Sequence, residues 1–190
     1  MQPVSDLPDD FARAFTAVSG LPHIVDNITQ AAALIRDIMS QASISRAAIA
    51  NVAPDWLDPV ATECRRAGIE LLQGPFESQS LPRALDGVQA GITGMSFGIA
   101  QTGTLAEVAT NDAVRLVSGL PRTHIALVRA SDLVPRFEDA APRIRENFSR
   151  HGSNCVISFI SGPSRTGDIE LILTLGVHGP ETAHAIIIRE

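Results

Sequence analysis

The chain has 190 residues, of which 45% are hydrophobic and 19% are charged, and its formal net charge at pH 7 is -6. This length and composition predict one folded domain over residues 1–190, with residues 1–20 as a helical segment packed on it. The negative charge argues against a nucleic-acid-binding protein that works through a basic surface. No apolar run approaches the roughly 20 residues of a membrane-spanning helix, and residues 1–10 lack the apolar core of a signal peptide. We therefore expect a cytoplasmic protein.

The cysteines and histidines predict that the chain holds no metal ion. Cys64 and Cys155 lie far apart and form no CxxC motif, so they cannot supply the thiolate ligands of a zinc site or an iron–sulfur cluster. No two histidines have the HExxH spacing of a helical zinc site. His124 precedes an apolar run and is interpreted as a strand residue that faces the core or an interface.

The first half of the chain alternates helical and strand-like patterns. Apolar residues recur at helical spacing in three segments, and short apolar runs separate these segments. Such an alternation predicts a parallel sheet covered by helices. The predicted helices are Asp9–Val18, a helix that starts at Asn27 or Thr29 and carries Ile38, and Asp55–Ala67; the predicted strands are His23–Val25, Arg46–Ala50 and Ile69–Leu72.

The pattern changes after Gly74–Pro82, a break rich in glycine, proline and serine. Glycines at positions 91, 94, 98 and 103 lie in strand-like sequence, where they indicate bulges or a close approach of the backbone to another group. Their spacing is neither GxGxxG nor a Walker motif, so the sequence predicts no dinucleotide or P-loop site. Strands are predicted over Phe97–Ala100, Thr104–Val108, Thr123–Val128, Val156–Ile160 and Ala185–Ile188, with a turn at Gln101–Gly103.

Two further segments are assigned from their prolines and β-branched residues. Val134–Arg150 is predicted as a charged, solvated helix, with Pro135 in its first turn and Pro142 kinking or breaking it. The sequence does not decide whether Ile169–Leu175 is a helix or a strand. Asp168 could cap a helix there, whereas the β-branched residues favour a strand.

The most informative segment is the polar run Ile160–Asp168, which follows a predicted strand and is followed closely by Gly176–Pro180. A turn needs only a residue or two such as Gly or Asn, so this run has more polar groups than turning or helix capping requires. Freed backbone amides, hydroxyls and one guanidinium can together bind an anion or a partner. Asp168 taken alone is better explained as a helix N-cap. The predicted binding residues of the run are Ser161, Gly162, Ser164, Arg165, Thr166 and Asp168.

Six segments together resemble one known family. They are Gly91–Gly94, Ala100–Thr104, Arg115–Ser118, Pro121–Ile125, Ile160–Glu170 and Gly176–Pro180. In order and spacing they are similar to the LutC/YkgG family, the LUD domain. The resemblance is strong over roughly the second half of the chain, whereas the first half resembles the family only in its helix–strand pattern.

The resemblance implies a fold, a setting and partners. The fold would be α/β, with an open, mostly parallel sheet flanked by helices, like that of the NagB/RpiA/CoA-transferase superfamily. The setting would be a bacterial lactate-utilisation operon. The partners would be two iron–sulfur proteins, with which the family member supports oxidation of L-lactate to pyruvate. No cofactor would be bound by this chain, because the iron–sulfur clusters would lie on the partner subunits.

Gln101 departs from the family pattern, which usually has glutamate in the Ala100–Thr104 turn. In the related CoA transferases, a glutamate in a comparable glycine turn is the covalent nucleophile. An amide can neither attack a thioester as a carboxylate does nor act as a general base. Gln101 can still bind a ligand, because its amide both donates and accepts hydrogen bonds. The predicted binding residues of this turn are therefore Gln101, Thr102, Gly103 and Thr104.

Four further side chains are candidates for chemistry. His178 can act as an acid, base or ligand near neutral pH, or it can hold a nearby carbonyl in its turn. Glu107 and Asp112 are the acids close to the glycine-rich turn, and either is a candidate base. Arg115 can bind a carboxylate or phosphate in bidentate fashion, or pair with one of these acids at the surface. The resemblance includes Arg115 and favours binding.

Three functional hypotheses follow. In the first, the chain is a subunit of a lactate-oxidising system, and the Gln101–Thr104 turn, the Ser161–Asp168 loop and His178 converge at strand ends to bind a small anionic metabolite or a partner. In the second, it is a free-standing isomerase or CoA-transferase-like enzyme. In the third, it is a non-catalytic ligand-binding domain of the same fold.

Overall fold

The computed structural model describes residues 6–76, 80–167 and 173–190. None of the helices in these ranges is both long and apolar enough to cross a membrane. The helices are α1 (Leu7–Ala17), α2 (Ile28–Gln41), α3 (Pro54–Arg66), α4 (Asp112–Gly119) and α5 (Ala141–His151). The strands are β1 (Leu21–Val25), β2 (Arg46–Ala50), β3 (Glu70–Gln73), β4 (Ala90–Gly94), β5 (Phe97–Ile99), β6 (Thr104–Ala109), β7 (Thr123–Arg129), β8 (Leu133–Val134), β9 (Val156–Ile160), β10 (Arg165–Gly167), β11 (Leu173–Leu175) and β12 (Thr182–Ile188).

A six-stranded sheet in the order β1-β12-β7-β4-β2-β3 forms the centre of the fold, and all its neighbouring strands run parallel. Helices α2 and α3 cover one face, where Ile35 and Trp56 pack against Ile92 and Ile186. Helix α4 covers part of the opposite face. The predicted α/β fold, with an open and mostly parallel sheet flanked by helices, is therefore confirmed.

Helix α4 lies unusually close to β4 because of Gly91. A Cβ atom at position 91 would lie 1.8 Å from the carbonyl oxygen of Val117. The helix starts at Asn111, whose side-chain oxygen accepts a hydrogen bond from the Val114 amide at 3.3 Å. This N-cap satisfies one of the amides that a helix start leaves unpaired.

A second sheet in the order β8-β5-β6-β9 packs beside the first, and β6 is buried along its whole length. Helix α1 packs on both sheets, because Phe11 and Phe15 are fully buried in a cluster that includes Leu105 of β6 and Ile187 of β12. Strands β10 and β11 form a separate hairpin. The second sheet thus places the polar run after β9 next to the amino ends of β7 and β12.

The structure corrects one predicted helix, adds two elements and shows a strand at the end of the segment that the sequence left open. The predicted helix Val134–Arg150 is wrong in its first part, because α5 begins at Ala141 and Pro142 lies in its first turn, where a missing N–H costs nothing. Strand β4 and helix α4 were not predicted, since glycines at 91 and 94 hid the strand pattern. In Ile169–Leu175, the end is strand β11, and residues 168–172, including Asp168, lie outside the described residues.

Candidate functional site

A cavity of about 330 Å³ opens where β7 and β12 begin and where β9 ends. The C-terminal end of α4 and the turn at Gly176–Pro180 close its sides. We call it the Glu107 cavity, after the buried carboxyl group in its wall. Six residues that the sequence marked as candidates line it: Glu107, Arg115, Ser161, Gly162, Ser164 and His178.

Glu107 is a buried carboxyl group with one oxygen unsatisfied. Its residue is 1% exposed, and its Oε2 accepts a hydrogen bond from the Ser118 hydroxyl at 3.0 Å. Its Oε1 is buried and has no hydrogen-bond partner of good geometry in the described part of the chain. A buried acceptor without a partner costs stability, and its position in a cavity wall makes Glu107 a candidate functional group.

Burial also changes the acidity of Glu107. Loss of solvent raises the pKa of its carboxyl group to about 7, although the hydroxyls of Ser118 and Thr93 and the charge of Arg115 act in the opposite direction. Near neutral pH this carboxyl group is present in both protonation states. It can therefore either accept a proton from a bound molecule or donate one, which is the property of a general acid or base.

His124 supports Glu107 through a hydroxyl group. The Nε2 atom of His124 lies 2.8 Å from Oγ1 of Thr93, and the histidine is 2% exposed. Burial, with a smaller effect from His184, lowers the pKa of His124 to about 4, so the ring is neutral at pH 7. If Nε2 carries the proton, it donates to Thr93, and the single hydroxyl proton of Thr93 is then free to point towards Glu107.

The polar run after β9 is fixed by hydrogen bonds. Ser161 Oγ lies 2.8 Å from Thr104 Oγ1, which in turn lies 2.7 Å from Thr102 Oγ1. The Ser164 amide donates to the Pro180 carbonyl at 2.9 Å, which ties the run to the turn that carries His178. Gly162 has a φ of +75°, and a Cβ there would lie 2.4 Å from the carbonyl oxygen of Val18. The loop that borders the cavity is therefore preorganised.

Two charged or titratable side chains lie at the rim of the Glu107 cavity. Arg115 pairs with Asp112 at 2.9 Å, but the arginine side chain is 48% exposed. Such a surface ion pair contributes little stability, so Arg115 can exchange it for the carboxylate of a bound ligand. His178 also lines the cavity and is exposed.

The other predicted site residues lie elsewhere. Gln101 lines a separate cavity beside α1, and its backbone amide donates to the Pro135 carbonyl at 2.9 Å. Gly103 packs under α1, because a Cβ there would lie 2.3 Å from the Phe15 amide nitrogen. Arg165 is exposed in β10, which also contains Thr166. The structure thus brings Thr104, Ser161 and His178 towards one cavity, whereas Gln101 faces another.

Three polar residues of the site had not been singled out as functional from the sequence. Thr93 and Ser118 lie inside the Gly91–Gly94 and Arg115–Ser118 segments that carry the family resemblance, but their hydroxyls have no local signature. His124 was interpreted as a core or interface residue, and it is buried. Only the fold brings β4, α4 and β7 together around Glu107.

Two other cavities, of about 360 and 390 Å³, lie at the carboxyl edge of the main sheet, where open α/β sheets commonly bind ligands. The larger contains Arg129 and Arg150, but Arg129 pairs with Asp55 at 3.0 Å and Arg150 with Glu146 at 2.8 Å. These ion pairs resemble that of Arg115, so they do not distinguish the cavities; what distinguishes the Glu107 cavity is a buried carboxyl oxygen without a hydrogen-bond partner among the described residues. No group of three or more His, Cys, Asp or Glu side chains within the described ranges could hold a metal ion. The Glu107 cavity is therefore the better candidate, although it lies at the amino ends of β7 and β12.

Comparison with known proteins agrees with the resemblance read from the sequence. The LUD domain family matches residues 9–188. Lactate utilization protein C of Anoxybacillus flavithermus is 40% identical over 107 residues, which cover 56% of this chain and 47% of that protein. Lactate utilization protein C of Bacillus subtilis is 40% identical over 102 residues, which cover 53% of this chain and 42% of that protein. The matched region thus spans about half the length of these relatives.

A solved structure supports the fold. The crystal structure of a DUF162 family protein from Deinococcus radiodurans superimposes with a TM-score of 0.65 and covers 98% of this chain and 99% of that chain. The two sequences are 22% identical, so this similarity concerns the fold alone.

Proposed function

We propose that this chain, which belongs to the LUD domain family, binds a small 2-hydroxy or 2-oxo carboxylate in the Glu107 cavity and exchanges a proton with it. The family match and the relatives named lactate utilization protein C support L-lactate and pyruvate as the ligands. We further propose that the chain works in the cytoplasm as a subunit of a lactate-oxidising system.

A single observation carries this proposal. Glu107 presents a buried carboxyl group with an unsatisfied oxygen and a pKa of about 7 in the wall of a cavity. A carboxyl group with these properties destabilises the empty protein and suits proton transfer at neutral pH. The cavity also has a cation, Arg115, that can bind the carboxylate of such a ligand.

Oxidation of L-lactate to pyruvate removes two electrons and two protons from the hydroxyl group and the adjacent carbon. In our proposal, Arg115 binds the carboxylate and the ionised form of Glu107 accepts the hydroxyl proton as the C=O bond forms. The proton bound to carbon is released to solvent, and His178, which lines the cavity, is the proposed acceptor. The oxidant would be the iron–sulfur clusters of partner proteins, which would take up the two electrons.

The carboxyl group of Glu107 also supports a second function. A base with a pKa near 7 also suits isomerisation, in which a proton is removed next to a carbonyl and no oxidant is needed. Gln101 lies in a turn comparable to the one that carries the CoA-transferase nucleophile, but it lines a different cavity from Glu107. Of the alternatives, a free-standing isomerase is therefore favoured over a covalent acyl transferase.

Thermal unfolding of the pure chain with L-lactate, pyruvate, ribose 5-phosphate and acetyl-CoA tests the proposal. A ligand at about 100 times its dissociation constant adds roughly 2.7 kcal/mol of stability, which shifts Tm by about 5–10 °C for a domain of this size. We expect the shift with pyruvate or L-lactate, and we expect Arg115→Ala to remove most of it.

Arg122→Ala is the matched control, because Arg122 pairs with Glu181 outside the cavity wall. It should leave the ligand shift unchanged. A shift with ribose 5-phosphate alone would favour the isomerase. A pyruvate shift of equal size in Arg115→Ala and Arg122→Ala would show that the ligand binds elsewhere.

A further inference from the structure

The two larger sheets have four edge strands, and three of them carry features that prevent pairing with another chain. Strand β1 contains Pro22, which cannot donate to a neighbouring strand. Strand β3 begins with Glu70, whose side chain is 59% exposed. Strand β8 has only two residues. Proline, edge charges and short length are the usual protections of a sheet edge.

Strand β9 has none of these protections. Its five residues, Val156–Ile160, include no proline and no charge. It pairs with β6 on one side, and no strand among the described residues pairs with its other side. Val156 is 45% exposed and Phe159 is 44% exposed. A long, apolar and unprotected edge is a site of strand association.

The apolar surface extends beyond the strand itself. Phe137, which is 55% exposed, lies against Phe159 with 5.7 Å between the ring centroids. Phe137 and Phe159 are thus exposed together on one face of the second sheet, whereas Val156 is exposed on the other face of the same edge strand. We call these three residues the β9 patch. Apolar side chains exposed on both faces of an unpaired edge strand favour pairing with another strand.

We propose that β9 pairs antiparallel with β9 of a second copy of this chain, about a two-fold axis through Ser158. In this register Val156 faces Ile160 of the second copy, and Ile157 faces Phe159. Every flanking pair is apolar, and no like charges meet. The strand is therefore self-complementary, as a two-fold interface requires. The pairing joins two four-stranded sheets into one continuous sheet.

This dimer places the two Glu107 cavities on either side of the axis. Ser158 is the register partner of Glu107 across β6 and β9, and it also lines the Glu107 cavity. Pairing at β9 would fix the strand that forms one wall of each cavity. The dimer itself does not depend on which ligand the cavity binds.

Sedimentation velocity of the full chain across a wide concentration range tests the proposal. We expect a concentration-dependent dimer for the wild type. Val156→Lys places a charge in the apolar edge and should raise the dissociation constant at least roughly tenfold, because an unpaired charge resists burial. Leu120→Lys is the matched control, since Leu120 is 52% exposed and lies outside the β9 patch. It should dimerise like the wild type.

Cross-linking then tests the register. In a variant with Cys64 and Cys155 replaced by alanine, Ser158→Cys places two thiols directly opposite each other on the axis, within the reach of a disulfide. We expect mild oxidation to give a covalent dimer. A wild type that stays monomeric at every concentration, a Val156→Lys variant that dimerises normally, or no Ser158→Cys cross-link in a dimeric sample would each overturn the proposal.

Discussion

Glu107 is the residue where stability and function oppose each other. Its carboxyl group is buried and has only one of its two oxygens hydrogen-bonded at good geometry, to Ser118, in the described part of the chain. The unfolded chain would solvate the same group fully. An ionised carboxylate at this position therefore lowers the stability of the folded protein, and a neutral group of the same shape should raise it. Such a cost is expected where a group is retained for its chemistry.

Glu107→Gln should stabilise the protein in a pH-dependent way. The pKa of Glu107 is raised from 4.5 to about 7 in the folded state, so the folded protein binds the proton more tightly than the unfolded chain. The stability that the protonated group contributes is complete below pH 4.5 and is lost as the pH rises through 7. We expect the variant to be more stable than the wild type by about 3 kcal/mol at pH 8 and by about 1 kcal/mol or less at pH 5.

Urea unfolding of both proteins at the two pH values measures this difference. Glu146→Gln is the matched control. Glu146 is a half-exposed glutamate on α5, and this substitution removes the same charge from the surface. It should change stability little at either pH. A Glu107→Gln variant that is less stable than the wild type at pH 8 would contradict the raised pKa.

The sequence indicated Glu107 only as an acid near a glycine-rich turn. Burial raises its pKa, and the hydroxyls of Ser118 and Thr93, which come from other elements, partly offset that rise. No local pattern around position 107 encodes those contacts. Conversely, the family pattern predicted Gln101 as a binding residue of the site, but the fold places it beside α1 and away from Glu107.

At the scale of elements, apolar periodicity predicted most of the strands and helices, but it missed β4 and α4. Strand β2 matches the predicted Arg46–Ala50 residue for residue. Helix α4 has only eight residues, and its strand partner β4 contains two glycines, so neither has a strong pattern of its own. These two elements are defined by packing against each other, which a single-sequence pattern does not report.

Gly91→Ala tests that packing. The added Cβ would lie 1.8 Å from the Val117 carbonyl oxygen, so α4 or β4 must shift along its backbone. We expect a loss of about 3 kcal/mol in the free energy of unfolding, measured by urea titration. Because Ser118 lies on α4, the shift should also disturb its hydrogen bond to Glu107.

Gly119→Ala is the control on the same helix. A Cβ at position 119 meets no atom within 4 Å, so the stability should change by no more than about 0.5 kcal/mol. Equal effects of the two substitutions would mean that the close approach of α4 to β4 does not determine stability.

At the scale of the whole molecule, the second sheet explains where the candidate site lies. Strands β6 and β9 bring Glu107 and Ser161 to the amino ends of β7 and β12, while α4 brings Ser118 and Arg115 to the same place. The sequence predicted a strand-end cleft, but it could not determine which end, because the second sheet has no separate signature in the order of elements. The carboxyl edge has its own cavities, but their described residues include no buried carboxyl oxygen that lacks a hydrogen-bond partner.

The most direct test of the central claim is the number of protons exchanged when pyruvate binds, measured near pH 7 by titration calorimetry in two buffers with different ionisation enthalpies. A carboxylate placed beside Glu107 raises the pKa of that group further, so the account predicts uptake of up to roughly half a proton per pyruvate. Glu107→Gln should bind pyruvate without this uptake. Pyruvate binding to the wild type with no proton exchange, or the same uptake in Glu107→Gln, would contradict the assignment of Glu107 as the proton-exchanging group of the site.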